Sequence, residues 1–167
     1  VEFIDVGKKP GLPTPQEMIN TLLVHLGSQG LNVVRLKGGD PYVFGRGGEE
    51  AQALIDAGIP FDVVPGISSV VAAPGAAGIP VTHRGLANGY AVITGHQLQD
   101  LTALAQVDLT LVVLMGVATL PQLTSGLIAG GKSSSTPVAV IEQASTPQQR
   151  VTVGTLESIT SLALSVG

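Results

Sequence analysis

The residues most able to do chemistry lie between Val33 and Glu50, in the run VVRLKGGDPYVFGRGGEE. A β-branched run ends at Lys37, and Gly38-Gly39-Asp40-Pro41 follows it. Two glycines let a ligand approach the backbone closely, Asp40 offers acceptor oxygens, and Pro41 stiffens the exit. Open α/β sheets collect ligands at the carboxyl ends of their strands, where this loop falls. Residue types alone leave a second reading open, a tight turn closed by an Asx-type bond. Gly45-Arg46-Gly47-Gly48 has the look of an anion cradle at a helix start, but it is neither a P-loop nor GxGxxG. His25, His83 and His96 have no metal-ligand spacing and the chain has no cysteine, so neither a metal site nor a disulfide is expected.

The 167 residues suffice for one large domain or two small ones sharing a cleft. Hydrophobic residues make up 44% and aromatics only 3%, so the core must be aliphatic, as in buried parallel strands covered by helices. A net charge of −4 argues against a general nucleic-acid binder. Six of the eight basic residues (Lys8, Lys9, Arg35, Lys37, Arg46, Arg84) fall in the first 84 positions, where an anionic small molecule could be met. The most apolar run, 109–120, is broken by Gly116 and too short to span a bilayer. No signal peptide is visible, and a soluble cytoplasmic protein is expected.

Short β-branched runs alternate with helical segments. Strands are expected at 1–6, 31–36, 61–64, 90–94, 109–115, 137–142 and 150–153. Helices are expected from Thr14, at 47–57, at 67–77, and near 100–105, 119–129 and 155–164. Thr14-Pro15-Gln16-Glu17 reads as a capping box, with Pro15 at the first helical position. Residues 78–85 have no periodicity and read as a connection. The fold expected is therefore α/β, with a lobe over 1–80, a connection over 81–88, and a second lobe over 89–167 whose strands form a mixed sheet.

LKGGDPYVFGRGGEE (36–50) resembles the signature of the uroporphyrinogen-III C-methyltransferases, a branch of the tetrapyrrole (corrin/porphyrin) methylases. VVPGISSVVAAPGAAGIPVTHR (63–84) is similar to that family's second long motif. DVGK at 5–8, ITGH at 93–96, VVLMG at 112–116 and PVAVIEQAS at 137–145 follow in the family's order. The resemblance covers essentially the whole chain, and its first two motifs are highly specific. It implies two α/β lobes with a cleft between them for S-adenosyl-L-methionine (product S-adenosyl-L-homocysteine), and a homodimer. By position it assigns Gly38, Gly39, Asp40, Val43, Ser68, Ser69, Met115 and Ala144 to the cofactor. It assigns Arg46, Glu49 and Arg84 to the carboxylates of a tetrapyrrole substrate, with Arg46 and Glu49 also near the chemistry, and Lys8 to proton donation.

Residue type alone offers a plainer reading of each. Ser68 and Ser69 would be a helix cap, Met115 core, Arg46 and Glu49 a helix-start ion pair, Arg84 a solvated linker arginine, and Lys8 an exposed loop lysine. The activity implied is methyl transfer to two pyrrole carbons of uroporphyrinogen III, giving precorrin-2 for siroheme or cobalamin synthesis. The alternatives are another tetrapyrrole methylase of the cobalamin pathway, a nucleotide-binding module, or an inactive cofactor-binding fragment. The family also has a glycine- and proline-rich loop with an aspartate base before DVGK, and a final strand, neither of which this chain contains. The expectation is that residues 1–167 alone do not turn over.

Overall fold

The computed structural model of the chain describes residues 1–7, 14–98 and 100–164. They form two compact units, Val1–Ile67 and Ser68–Gly167. Residues 81–88, expected as a connection, fall inside the second. No helix among the described residues is long and apolar enough to cross a membrane.

The first unit is built on two helices, α1 (Gln16–Ser28) and α2 (Gly47–Asp56). The helical spacing of Ile19 and Leu23 gives α1 an apolar stripe that buries both residues, and Ala51 is buried on α2. The capping box does not form. Pro15 has ψ 140°, which keeps it in the extended entry to the helix, and α1 begins at Gln16 with no side-chain cap bond. The strands expected at 1–6, 31–36 and 61–64 are also absent, although their residue types favour strands. A strand exists only through a ladder partner, and among the described residues none of these segments has one. Their apolar side chains accordingly stay open, with Val34 at 87%, Leu36 at 84% and Val64 at 80% exposure.

The second unit contains every strand among the described residues. After α3 (Ser69–Ala76), β1 (Tyr90–Thr94) runs through α4 (Leu101–Ala105) into β2 (Thr110–Leu114). The two strands pair in parallel, Tyr90 opposite Thr110 through Thr94 opposite Leu114. A short 3-10 turn at Val117–Thr119 leads into α5 (Leu120–Ala129). β3 (Pro137–Glu142) and β4 (Arg150–Thr155) then form an antiparallel hairpin, Pro137 opposite Thr155 and Glu142 opposite Arg150, and α6 (Ile159–Leu164) follows. Among the described residues the two pairs are separate sheets, one parallel and one antiparallel, rather than one mixed sheet. The core gathers Ala105, Leu123, Leu127 and Leu156, with Ile159 fully buried. Val-, Leu- and Ile-rich strands under helices need no aromatic filler here, consistent with the composition.

Leu127 sits at 4% exposure in the middle of this core. Truncation to Ala removes its packing and leaves a cavity, so Leu127→Ala should destabilise the second unit by about 2–5 kcal/mol. Urea unfolding followed by circular dichroism checks this; a loss below about 1 kcal/mol would mean the core collapses around the gap.

Candidate functional site

In the first unit, the Gly38–Pro41 loop is held by the carboxylate it contains. Asp40 Oδ1 accepts from the Tyr42 amide at 2.9 Å, which is the Asx-type turn, and Asp40 Oδ2 accepts from the Gly66 amide at 3.1 Å, 26 residues away. The second bond brings two backbones close together. A Cβ on Gly66 would lie 2.0 Å from the Gly39 carbonyl oxygen, so only glycine fits. Gly66, in the PGI of the second motif, is a residue that sequence reasoning did not single out; its signal was the glycine between Pro65 and Ile67. Gly38, by contrast, has open space where its Cβ would be, while Gly39 adopts φ +70°. The Val43 amide donates to the Asp40 carbonyl at 3.2 Å, which places Val43 on the same turn.

The glycines of Gly45-Arg46-Gly47 have a use other than cradling an anion. Their Cβ positions would lie 2.7 Å and 2.4 Å from the Pro41 carbonyl oxygen, which accepts the Gly47 amide at 3.0 Å. They let the loop fold onto the start of α2. Arg46 caps α2 in the left-handed region (φ 57°), and its guanidinium grips Glu49 through two bonds of 2.7 and 2.6 Å. Both side chains are exposed, so the pair is a solvated one at a helix start.

Beneath the loop lies a buried ionic cluster that sequence reasoning treated only as a helix-start acid. Glu50, 5% exposed, accepts from Lys37 Nζ at 2.8 Å on Oε2, and on Oε1 from Arg35 Nε at 3.2 Å and Gln16 Nε2 at 3.1 Å. Burial alone would push the Glu50 carboxyl up. The hydrogen bonds from Lys37 and Gln16 and the charges of Arg35 and Lys37 outweigh it and hold the carboxyl below its ordinary value. Arg35 and Lys37 are two residues apart, the spacing by which extended backbone puts side chains on one face. Both are therefore occupied internally.

In the second unit, the ends of the parallel strands meet. The Gly95 amide donates to the Leu114 carbonyl at 2.8 Å, and a Cβ on Gly95 would lie 2.3 Å from Gly116 Cα. Thr119 Oγ1 donates to the Gly95 carbonyl at 2.9 Å and closes the corner. Met115 lies between these glycines with φ 57° and 46% exposure, outside the core that its apolar strand suggests. Ala144 lies in the β3–β4 loop between Gln143 (φ 48°) and Ser145 (φ 63°). That loop is tied down by Gln149, whose Oε1 accepts the Ser145 amide at 2.7 Å and whose Nε2 donates to the Ala76 carbonyl at 3.1 Å. Left-handed non-glycine residues are costly and collect at functional loops; three of the five among the described residues flank or form these two positions.

Ser68 is the N-cap of α3, its Oγ accepting from the Val70 amide at 3.3 Å. Ser69 opens the helix and lines an apolar cavity of about 330 Å³ within the second unit. Arg84 is exposed in a tight loop where His83 and Ala87 pair, and its guanidinium has no partner among the described residues. Lys8 lies outside the described residues. No group of His, Asp and Glu among the described residues could hold a metal ion.

The model of the Tetrapyrrole (Corrin/Porphyrin) Methylases matches residues 2–160. The S-adenosyl-L-methionine-dependent uroporphyrinogen III methyltransferase of Methanosarcina barkeri is 51% identical, over 97% of this chain and 67% of its own length. The uroporphyrinogen-III C-methyltransferase of Paracoccus denitrificans is 48% identical, over 95% and 58%. Among solved structures, the uroporphyrin-III C-methyl transferase of Thermus thermophilus complexed with S-adenyl homocysteine superposes with a TM-score of 0.78 at 43% identity, over 87% of this chain and 66% of that one. The chain thus spans about three fifths to two thirds of the length of these relatives.

Two measurements test the geometry of the first unit. Gly66→Ala should cost about 1–3 kcal/mol by forcing two backbones apart, whereas Gly38→Ala should leave stability within about 0.5 kcal/mol. Equal effects in thermal melts would contradict the close crossing. The pH dependence follows from Glu50. Its folded pKa lies below its unfolded one, so the unfolded chain binds the extra proton as pH falls. The stabilisation is complete above the ordinary carboxylate range and is lost as pH drops through the folded pKa. Urea midpoints between pH 7 and pH 3 should therefore decline with acid, and less steeply in Glu50→Gln.

Proposed function

This chain belongs to the tetrapyrrole methylase family, and we propose from that premise that it forms the larger part of a uroporphyrinogen-III C-methyltransferase. The reaction is C-methylation of uroporphyrinogen III at two pyrrole carbons, with S-adenosyl-L-methionine as donor and precorrin-2 as product. The protein carrying it is a cytoplasmic homodimer serving siroheme or cobalamin synthesis.

The observation that carries the reading is the Gly38–Asp40 loop. It is pinned by Asp40 to Gly66 yet open at Gly38, and the nearby cations are already bound to Glu50. Such a loop suits a cationic ligand, because backbone carbonyls and open space meet a positive sulfur without a competing charge. Gly38, Gly39, Asp40 and Val43 of the first unit are the residues for the cofactor, with Ser68, Ser69, Met115 and Ala144 of the second. Gly95 and Gly116 support this assignment for Met115 by fixing the corner that keeps its thioether out of the core.

When bound, the cofactor supplies a methyl group already activated by its sulfonium. The work left to the protein is alignment of the acceptor carbon and removal of the ring proton. Alignment needs charge on the carboxylate side of the substrate. Arg84, exposed and without a partner among the described residues, can meet a propionate or acetate directly. Arg46 must first release or share Glu49, so its contribution is a switched one. Lys8 is assigned to proton donation on the resemblance alone.

Titration calorimetry with S-adenosyl-L-homocysteine tests the loop. Gly39 is left-handed, so valine there would strain the backbone whatever the ligand does. Gly38→Val is the cleaner variant, expected to abolish binding with an unchanged melting temperature. In the full-length protein, Arg84→Ala should keep cofactor affinity and slow methyl transfer by about 10- to 100-fold, the worth of one charge-assisted contact. Unchanged affinity in Gly38→Val would overturn the cofactor assignment, and unchanged turnover in Arg84→Ala the substrate one.

A further inference from the structure

We infer that Glu50, which no contact places at the ligand, is a positioning residue that sets the charge of the cofactor loop and so its preference between the donor and its demethylated product. The inference rests on the cofactor reading of the Gly38–Asp40 loop.

Lys37 immediately precedes Gly38, and Arg35 lies two residues before it. Left alone, the two would put two positive charges at the root of a loop proposed to take a sulfonium. Glu50 prevents this by bonding both, at 2.8 and 3.2 Å, with Gln16 completing its shell at 3.1 Å. The Lys37 and Glu50 side chains are only 10% and 6% exposed, so water screens the pair weakly. Counting Asp40, the segment carries two positive and two negative groups and is balanced. Removing the negative charge of Glu50 leaves a net positive root; removing the positive charge of Lys37 leaves a net negative one.

S-adenosyl-L-methionine and S-adenosyl-L-homocysteine differ by one methyl group and one positive charge, which makes their affinity ratio a probe of local charge. A merely structural role for Glu50 would weaken both ligands alike. An electrostatic role moves the ratio, and in opposite directions for opposite charge changes.

The test is titration calorimetry of the protein and two variants with both ligands at low and high salt. Glu50→Gln keeps the shape and an acceptor oxygen. It should weaken the methionine form relative to the homocysteine form by about five- to tenfold at low salt, the size of one partly screened charge. Lys37→Gln should shift the ratio by a similar factor the other way. Both shifts should shrink at high salt. If Glu50→Gln does not fold, Lys37→Gln alone decides the sign. Unmoved ratios in folded variants that still bind, or shifts of the same sign in both, would overturn the inference. Failure of the unaltered protein to bind either ligand would instead overturn the cofactor reading on which it rests.

Discussion

A carboxylate taken out of water must be compensated where it lies, and the first unit is organised around that requirement at Glu50. Three elements answer it: Gln16 from the first turn of α1, Glu50 itself from the first turn of α2, and Arg35 and Lys37 from the segment leading to the loop. Without this knot the unit would have little to fix that segment, because no ladder holds residues 31–36 and their apolar side chains are largely open. The ionic cluster thus does for the loop what a sheet does in the second unit: it gives Gly38 a defined starting point. A buried pair of this kind contributes less to stability than to specificity of arrangement, since desolvation offsets most of the attraction.

The second unit positions its loops by a different means. β1 and β2 lie in parallel register, and their carboxyl ends converge on Gly95 and Gly116, where two backbones approach too closely for any side chain. Met115 is carried on that corner in a left-handed conformation. The β3–β4 hairpin similarly ends in a loop with left-handed Gln143 and Ser145. In each case regular hydrogen-bonded strands hold an irregular, strained tip.

What could be read from residues alone divides along the line between local and non-local causes. The six helices among the described residues, and the four strands of the second unit, follow from apolar spacing, turn residues and β-branched runs, all of which act within a few positions. Segments 1–6, 31–36 and 61–64 carry the same β-branched signal, yet a strand also needs a ladder partner, and among the described residues none of the three has one. Glu50 was visible only as an acid in the first turn of α2, where the dipole favours it; its burial depends on Arg35, Lys37 and Gln16 arriving from elsewhere. Gly66 was legible as part of a motif but not as a necessity, because the Gly39 carbonyl that excludes a Cβ is 27 positions away. Residue type alone put Met115 in the core, as the continuation of Val112, Val113 and Leu114, and that plainer reading is the one its 46% exposure sets aside.

The single hydrogen bond from Gln149 to the Ala76 carbonyl joins residues 73 positions apart, a far longer span than the hairpin or the parallel crossover must close. Closure entropy grows with the length of chain enclosed, so this bond costs more to close than either strand pairing. The shape of the loop around Ala144 therefore depends on the placement of α3 as well as on its own hairpin. A change that shifts the C-terminal end of α3 would thus be felt at a loop with which it shares no neighbouring sequence.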